Sequence, residues 1–230
     1  MTKRRTLAIG DIHGCASALA TLEKNVPFES SDRMITLGDH VNRGSDSRGV
    51  LEWLIARAAQ GNLVPLRGNH EVMMCAARHS VRHFDEWIAS GGAATLRSYT
   101  TKTGPEALDC VPAAHWQFIE KECRPYFETQ SHFFVHANVH PDMPLDEQPE
   151  YMLYWEKFND PPAHESGKTM VCGHTPQRDG LPRSIGHAIC IDTGVYRGGW
   201  LTCLDVETGV YWQANESGDV RSDFLRKIEG

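Results

Sequence analysis

Seven residues of metal-ligating or proton-transferring type stand just past short apolar runs: Asp11, His13, Asp39, Asn69, His70, His136 and His174. Asp11 and His13 lie in Gly-Asp-Ile-His-Gly (10–14), behind Thr6 to Ile9. Asp39 follows the run Arg33 to Leu37, and Asn69 and His70 lie in Arg-Gly-Asn-His-Glu (67–71), behind Leu63 to Leu66. His136 closes Phe133-Phe134-Val135, and His174 follows Val171-Cys172-Gly173. Carboxylate, imidazole and amide oxygen together suit borderline or hard divalent cations such as Mn²⁺, Fe²⁺ or Zn²⁺. One ion is too few for all these ligands. Two ions bridged by a carboxylate can activate water and clamp both oxygens of an in-line phosphoryl displacement. Gly-Asp-x-His-Gly alone is a weak signal, equally readable as a turn with a capping Asp. The ordered set is specific: Gly-Asp recurs 28 positions on (10 to 38), and Arg-Gly-Asn-His-Glu starts 29 positions later (38 to 67).

Those gaps each fit one strand–helix–strand unit. The helices are read at Ser17 to Lys24 and after Asp46, a candidate N-cap, with Val50, Leu51, Leu54 and Ile55 at helical spacing. Gly61-Asn62 ends the second helix. Three such units imply parallel strands with right-handed crossovers, and ligands in such sheets lie beyond the strands' carboxyl ends. Residues 71–127 read as mainly helical, interrupted at Gly91-Gly92 and restarting near Pro112, with Trp116, Ile119 and Cys123 on a buried face. Strands are expected at Ser131 to Asn138, Thr169 to Cys172, Ala188 to Ile191, Trp200 to Val206 and Val210 to Gln213, the last two joined by a Glu207-Thr208-Gly209 turn. Pro141 to Pro162 reads as a surface loop around a short apolar element, Tyr151 to Trp155, and the polar stretch after Asn215 as loosely held.

The chain has 230 residues, 40% apolar and 23% charged, which fits a single folded catalytic domain over 1–230 with a helical elaboration at about 71–127. A net charge of −7 argues against general nucleic-acid backbone binding. No apolar run approaches a membrane span of roughly 18 residues. The apolar stretch behind Met-Thr-Lys-Arg-Arg stops at Asp11, against a secretory signal. Seven scattered cysteines without a C-x-x-C read as free thiols of a cytoplasmic protein.

The set GDIHG (10–14), GDHVNRG (38–44), RGNHE (67–71), His136-Ala137 and CGHTP (172–176) closely resembles the calcineurin-like metallophosphoesterases. Within them it looks like the phosphoprotein phosphatase branch, notably its small bacterial and phage members and the related symmetrical dinucleoside tetraphosphatases. IDTG (191–194) extends the likeness. The resemblance implies an α/β fold, a mixed β-sandwich flanked by helices, with a dinuclear site at the strand ends. It assigns Asp11 and His13 to one metal and Asn69, His136 and His174 to the other, with Asp39 bridging. Arg43 would hold phosphate oxygens, and His70 would protonate the leaving alkoxide. The nucleophile would be water or hydroxide between the ions. Two divalent ions, Mn²⁺ first with Fe or Zn as options, are the implied cofactors. A serine/threonine phosphoprotein or small phosphoester is the first substrate expectation, a dinucleoside tetraphosphate the alternative. A catalytically weak phosphate-recognising module is a third reading.

Two positions depart from the protein phosphatase pattern. Asn42 stands where that branch usually has an Asp paired with the catalytic histidine. Asn42 is expected to orient His70 through its side-chain oxygen without adding charge. Lys157, in Trp155-Glu156-Lys157, stands where a second phosphate-binding arginine is usual, and is weighed evenly against a solvated surface lysine. His40 reads as a packing or pocket residue, Arg67 and Glu71 as braces of the turn around His70, and Cys15 and Cys172 as buried inert thiols.

Overall fold

A computed structural model describes residues 5–226. Three parallel strands come first, β1 (Thr6–Ile9), β2 (Arg33–Thr36) and β3 (Leu63–Pro65), separated by helices α1 (Ala16–Asn25) and α2 (Ser47–Ala58). Asp46 caps α2, its carboxylate accepting from Gly49 N at 2.8 Å. Helices α3 (Asn69–Ala76), α4 (Val81–Trp87), α5 (Ala93–Tyr99) and α6 (Ala113–Gln117) follow. Between α4 and α5 the chain kinks at Gly91, where φ is +105°. Gly92 is pressed on Trp87: a Cβ there would lie 2.4 Å from the indole ring.

The second half supplies β4 (Tyr126–Glu128), β5 (His132–Val135), helix α7 (Glu150–Trp155), β6 (Thr169–Cys172), β7 (Arg183–Ser184), β8 (Ala188–Cys190), β9 (Leu201–Asp205), β10 (Val210–Ala214) and β11 (Val220–Phe224). Two sheets result, in the orders β11-β10-β9-β1-β2-β3 and β4-β5-β6-β8-β7. The expected mixed β-sandwich flanked by helices is present. Its central strands β1, β2, β5, β6 and β8 are short apolar runs because both faces are buried. Ala8, Ile35, Phe134 and Val171 fill the space between the sheets. The alternate residues Leu7, Ile9 and Met34 pack toward the helices, and Phe133, Val135 and Met170 pack on the far side of the second sheet.

Three expectations need correction. Tyr126 to Glu128 is a strand pairing antiparallel with β5, so the helical region stops before 126. The chain after Asn215 forms β11, antiparallel to β10, rather than a loose tail. All five residues of β11 are exposed, so no buried alternation marks it in the sequence. Asn69 and His70 open helix α3 instead of lying in a turn before it.

Candidate metal centre

The ends of β1, β2, β3, β5 and β6 deliver the predicted residues to one place. Asp39 is the common member of two clusters of potential ligand atoms, one with His13 and His70, the other with His136 and His174. Around Asp39 Oδ1, His136 Nε2 lies at 3.4 Å; around Oδ2, His13 Nε2 lies at 3.4 Å. Asn69 Oδ1 sits 3.0 Å from His136 Nε2 and 3.2 Å from His174 Nδ1. Asp39 and the three histidines His13, His70 and His136 are almost wholly buried.

The outward nitrogens fix which atoms face inward. His13 Nδ1 donates to Val41 O at 3.0 Å, His136 Nδ1 to Leu37 O at 2.8 Å, and His174 Nε2 to Trp155 O at 3.0 Å. A carbonyl only accepts, so those nitrogens carry the proton and the inward ones present lone pairs when the rings are neutral. Asn69, turned over, would donate its NH₂ to both Asp39 oxygens and to both inward histidine nitrogens. With its oxygen inward it completes a ring of lone pairs that only a cation makes favourable. Burial pushes Asp39 well above the usual carboxylate range and His13 and His136 well below the usual imidazole range. A charge-rich pocket this costly to desolvate fits divalent cations, which supply the missing counter-charge.

Asp11 belongs to neither cluster. Both its oxygens accept from His174 N at 3.1 Å, so it lies beside the cluster that holds His174. Burial raises its pKa well above the usual range, and Asp192 and Asp39 add to the rise. Two glycines are required by this approach. A Cβ at Gly173 would meet Asp11 Oδ1 at 2.0 Å, and one at Gly68 would meet Asp39 Oδ1 at 2.2 Å. Backbone strain concentrates here too. Among described non-glycine residues, positive φ occurs at His13, Asp39, Asn42, Arg43, Asp160 and His174, and all but Asp160 belong to the site.

Glu71 holds the Asp39 loop. Its carboxylate accepts from Asp39 N, His40 N, Val41 N and Gly68 N at 2.8, 2.8, 3.2 and 2.9 Å. This is the bracing role expected of it. Arg67 donates to Ile119 O and Glu120 O, tying the turn to the helical region. His40 is buried and bonds Thr36 Oγ1. Cys15 is buried and pushed up to about 12 by desolvation; Cys172 is buried and also raised.

Arg43 is exposed, with its guanidinium 4.3 Å from the Tyr196 ring centroid and Nη1 donating to His13 Nε2 at 2.8 Å. It can meet an incoming anion without leaving the site. Lys157 is exposed; it lies near enough to add to the lowering of His174, which burial dominates. Asn42 reaches His70, but through Nδ2, 2.7 Å from Nδ1. The oxygen instead accepts from Thr95 Oγ1 at 2.8 Å, which corrects the expectation that the oxygen would face His70.

Sequence reasoning missed Thr95, Ser47, Tyr196 and Asp192 as neighbours of the site. Asp192 lay inside the IDTG motif that signalled it; the other three sit in no recognisable pattern. His174→Ala is expected to lower bound metal from two ions toward one per chain, measured by elemental analysis after gel filtration. Unchanged metal content would remove His174 from the ligand set.

Comparison with known proteins agrees with the geometry. The profile of the calcineurin-like phosphoesterases matches residues 4–200. Serine/threonine-protein phosphatase 1 of Salmonella typhimurium is 29% identical over 212 residues, covering 89% of this chain and 93% of that protein. The symmetrical bis(5'-nucleosyl)-tetraphosphatase of Pseudomonas fluorescens is 30% identical over 147 residues, 64% of this chain, and the match spans only 45% of that enzyme. Among solved structures, a protein serine/threonine phosphatase from Saccharomyces cerevisiae superposes with a TM-score of 0.59 at 14% identity, over 99% of this chain and 81% of that one. A cold-active protein-tyrosine phosphatase of a Shewanella species gives 0.57 at 18%, over 95% and 80%.

Proposed function

Because this chain belongs to the calcineurin-like phosphoesterases, we propose that it hydrolyses phosphoesters at a pair of divalent ions held by Asp11, His13, Asp39, Asn69, His136 and His174. The observation that carries this is the sharing of Asp39 between two ligand clusters, in which His13, His136 and His174 turn lone pairs inward. Bound there, the ions supply an activated water and charge neutralisation for phosphoryl oxygens. Arg43 binds the phosphoryl group with its planar fork, its guanidinium resting over the Tyr196 ring. His70 places Nε2 at the pocket, 3.8 Å from Asp39 Oδ2, and holds the proton destined for the leaving oxygen. Lys157 adds positive charge at the rim. Mn²⁺ is the first candidate, since mixed carboxylate, amide and imidazole donors suit it.

The first substrate reading is a serine/threonine phosphoprotein, supported by the end-to-end likeness to the Salmonella phosphatase. The second is a dinucleoside tetraphosphate, supported by the likeness to the Pseudomonas tetraphosphatase and by Asn42, which departs from the protein phosphatase pattern. We read the chain as one catalytic unit of a cytoplasmic protein; the seven cysteines are free, and no helix among the described residues is long and apolar enough to cross a membrane. Assaying phosphopeptides against diadenosine tetraphosphate with Mn²⁺ tests the ranking. The first reading expects the larger kcat/KM on phosphopeptide. A preference of about a hundredfold for the dinucleotide, about 2.7 kcal/mol in transition-state binding, would reverse it. Inactivity on every phosphoester with metal bound would favour a phosphate-recognising module.

A further inference from the structure

A run of four buried side chains leads from α2 to His70. Ser47 Oγ and Thr95 Oγ1 lie 3.0 Å apart, Thr95 Oγ1 donates to Asn42 Oδ1 at 2.8 Å, and Asn42 Nδ2 faces His70 Nδ1 at 2.7 Å. Ser47, Asn42 and Thr95 are 0% exposed and His70 1%. Water therefore does not compete for these bonds, and the protons can be counted. Asn42 N–H already points at both hydroxyl oxygens, at 2.9 Å to Thr95 and 3.1 Å to Ser47. Among the described residues, Ser47 Oγ has no acceptor other than Thr95. The Ser47 proton must then go to Thr95, the Thr95 proton to Asn42 Oδ1, and the Asn42 NH₂ to His70 Nδ1. The opposite sense, with Asn42 oxygen on His70, would strand the buried Ser47 proton at a cost of about 1–3 kcal/mol.

We propose that Thr95, backed by Ser47, is a positioning residue: it orients the Asn42 amide so that His70 accepts at Nδ1 and carries its single proton on Nε2, toward the pocket. The effect is directional. An imidazole proton on Nε2 can be donated to a leaving oxygen; a proton on Nδ1 would leave Nε2 only able to accept. It also separates His70 from the other site histidines, whose inward nitrogens hold lone pairs. A ring whose inward nitrogen is protonated cannot ligate a cation, so His70 is left for proton donation. The helical cover thus reaches His70 through a hydroxyl on α5.

The inference rests on the reading that His70 serves the leaving group, and the experiment separates the two. Full-length protein is loaded with diamagnetic Zn²⁺, and the His70 ring nitrogen shifts are recorded for wild type, Thr95→Val and Thr95→Ser. Wild type and Thr95→Ser are expected to show protonated Nε2 and unprotonated Nδ1. Thr95→Val frees the amide to turn over, and the proton is expected on Nδ1. Turnover of substituted aryl phosphates is measured alongside. Thr95→Val should lower kcat about tenfold with a good leaving group, and more as the leaving group worsens, while Thr95→Ser restores the wild-type slope. If Thr95→Val fails to fold, Ser47→Ala replaces it, with a smaller shift in the same direction. Protonated Nδ1 in wild type, or an unaltered tautomer in both hydroxyl-deleted variants, overturns the proposal. Aryl phosphates left untouched by metal-loaded wild type would overturn the hydrolase reading instead, and the tautomer spectra would still decide this one.

Discussion

His70→Asn is expected to retain both metal ions and lose about 10²–10⁴-fold in kcat, the usual contribution of a positioned proton donor. The ring is buried, and desolvation, followed by the charges of Arg43 and His174, lowers its pKa to about 3 in the absence of ions. Asn keeps a polar group of smaller size at the same place, so the neighbouring Asp39 oxygen, 3.8 Å from Nε2, keeps its surroundings. His70 also falls within the first ligand cluster, with His13 and Asp39. The measurement therefore has two readouts. Turnover lost with two ions retained assigns His70 to the proton. An ion lost together with turnover assigns it to the metal. Turnover within threefold of wild type removes it from the reaction. The Nδ1 bond from Asn42 favours the first outcome, because it leaves the proton on the nitrogen that faces the pocket.

Glu71→Ala should destabilise the fold by about 3–5 kcal/mol, more than most single substitutions. The carboxylate is 0% exposed and satisfies four backbone N–H groups, three of them in the consecutive residues Asp39, His40 and Val41. Alanine leaves those donors buried without partners, each costing about 1–3 kcal/mol before relaxation. The loss does not sum in full, since the loop can shift to reach water. That shift would move Asp39, so metal binding should weaken as well. Glu71→Gln keeps one acceptor oxygen but turns an NH₂ toward N–H groups, and should cost about half as much. Urea unfolding of metal-loaded protein checks the series; a cost below about 1 kcal/mol for Glu71→Ala would mean the loop is held by something else.

The metal-ligand candidates were legible because parallel strands end in a common plane. Asp11, His13, Asp39, Asn69 and His70 declare themselves by recurrence at one strand–helix interval, and His136 and His174 by closing apolar runs. The fold followed from the same pattern. What failed to show in the sequence depends on contacts between distant segments. Ser47 and Thr95 are ordinary helix residues until α2 and α5 meet over Asn42. Tyr196 becomes part of the site only because its loop folds over Arg43. The direction of the Asn42 amide was misjudged for the same reason: its oxygen has a better claimant, Thr95, 53 positions away. Strand β11 escaped because pairing with β10, and not burial, holds it.

Asp39 follows a strand of the first sheet, while His136 and His174 follow strands of the second. An ion held by all three, as proposed, would be a rivet through the seam of the sandwich. It joins segments 97 positions apart along the chain (39 to 136). Such a closure restricts the unfolded chain as a long covalent loop would, and its binding energy enters the folding equilibrium. On the proposed function, the metal supply would set how long the protein survives as well as how fast it works. A chain starved of its ions would open first along that seam, where proteases find it.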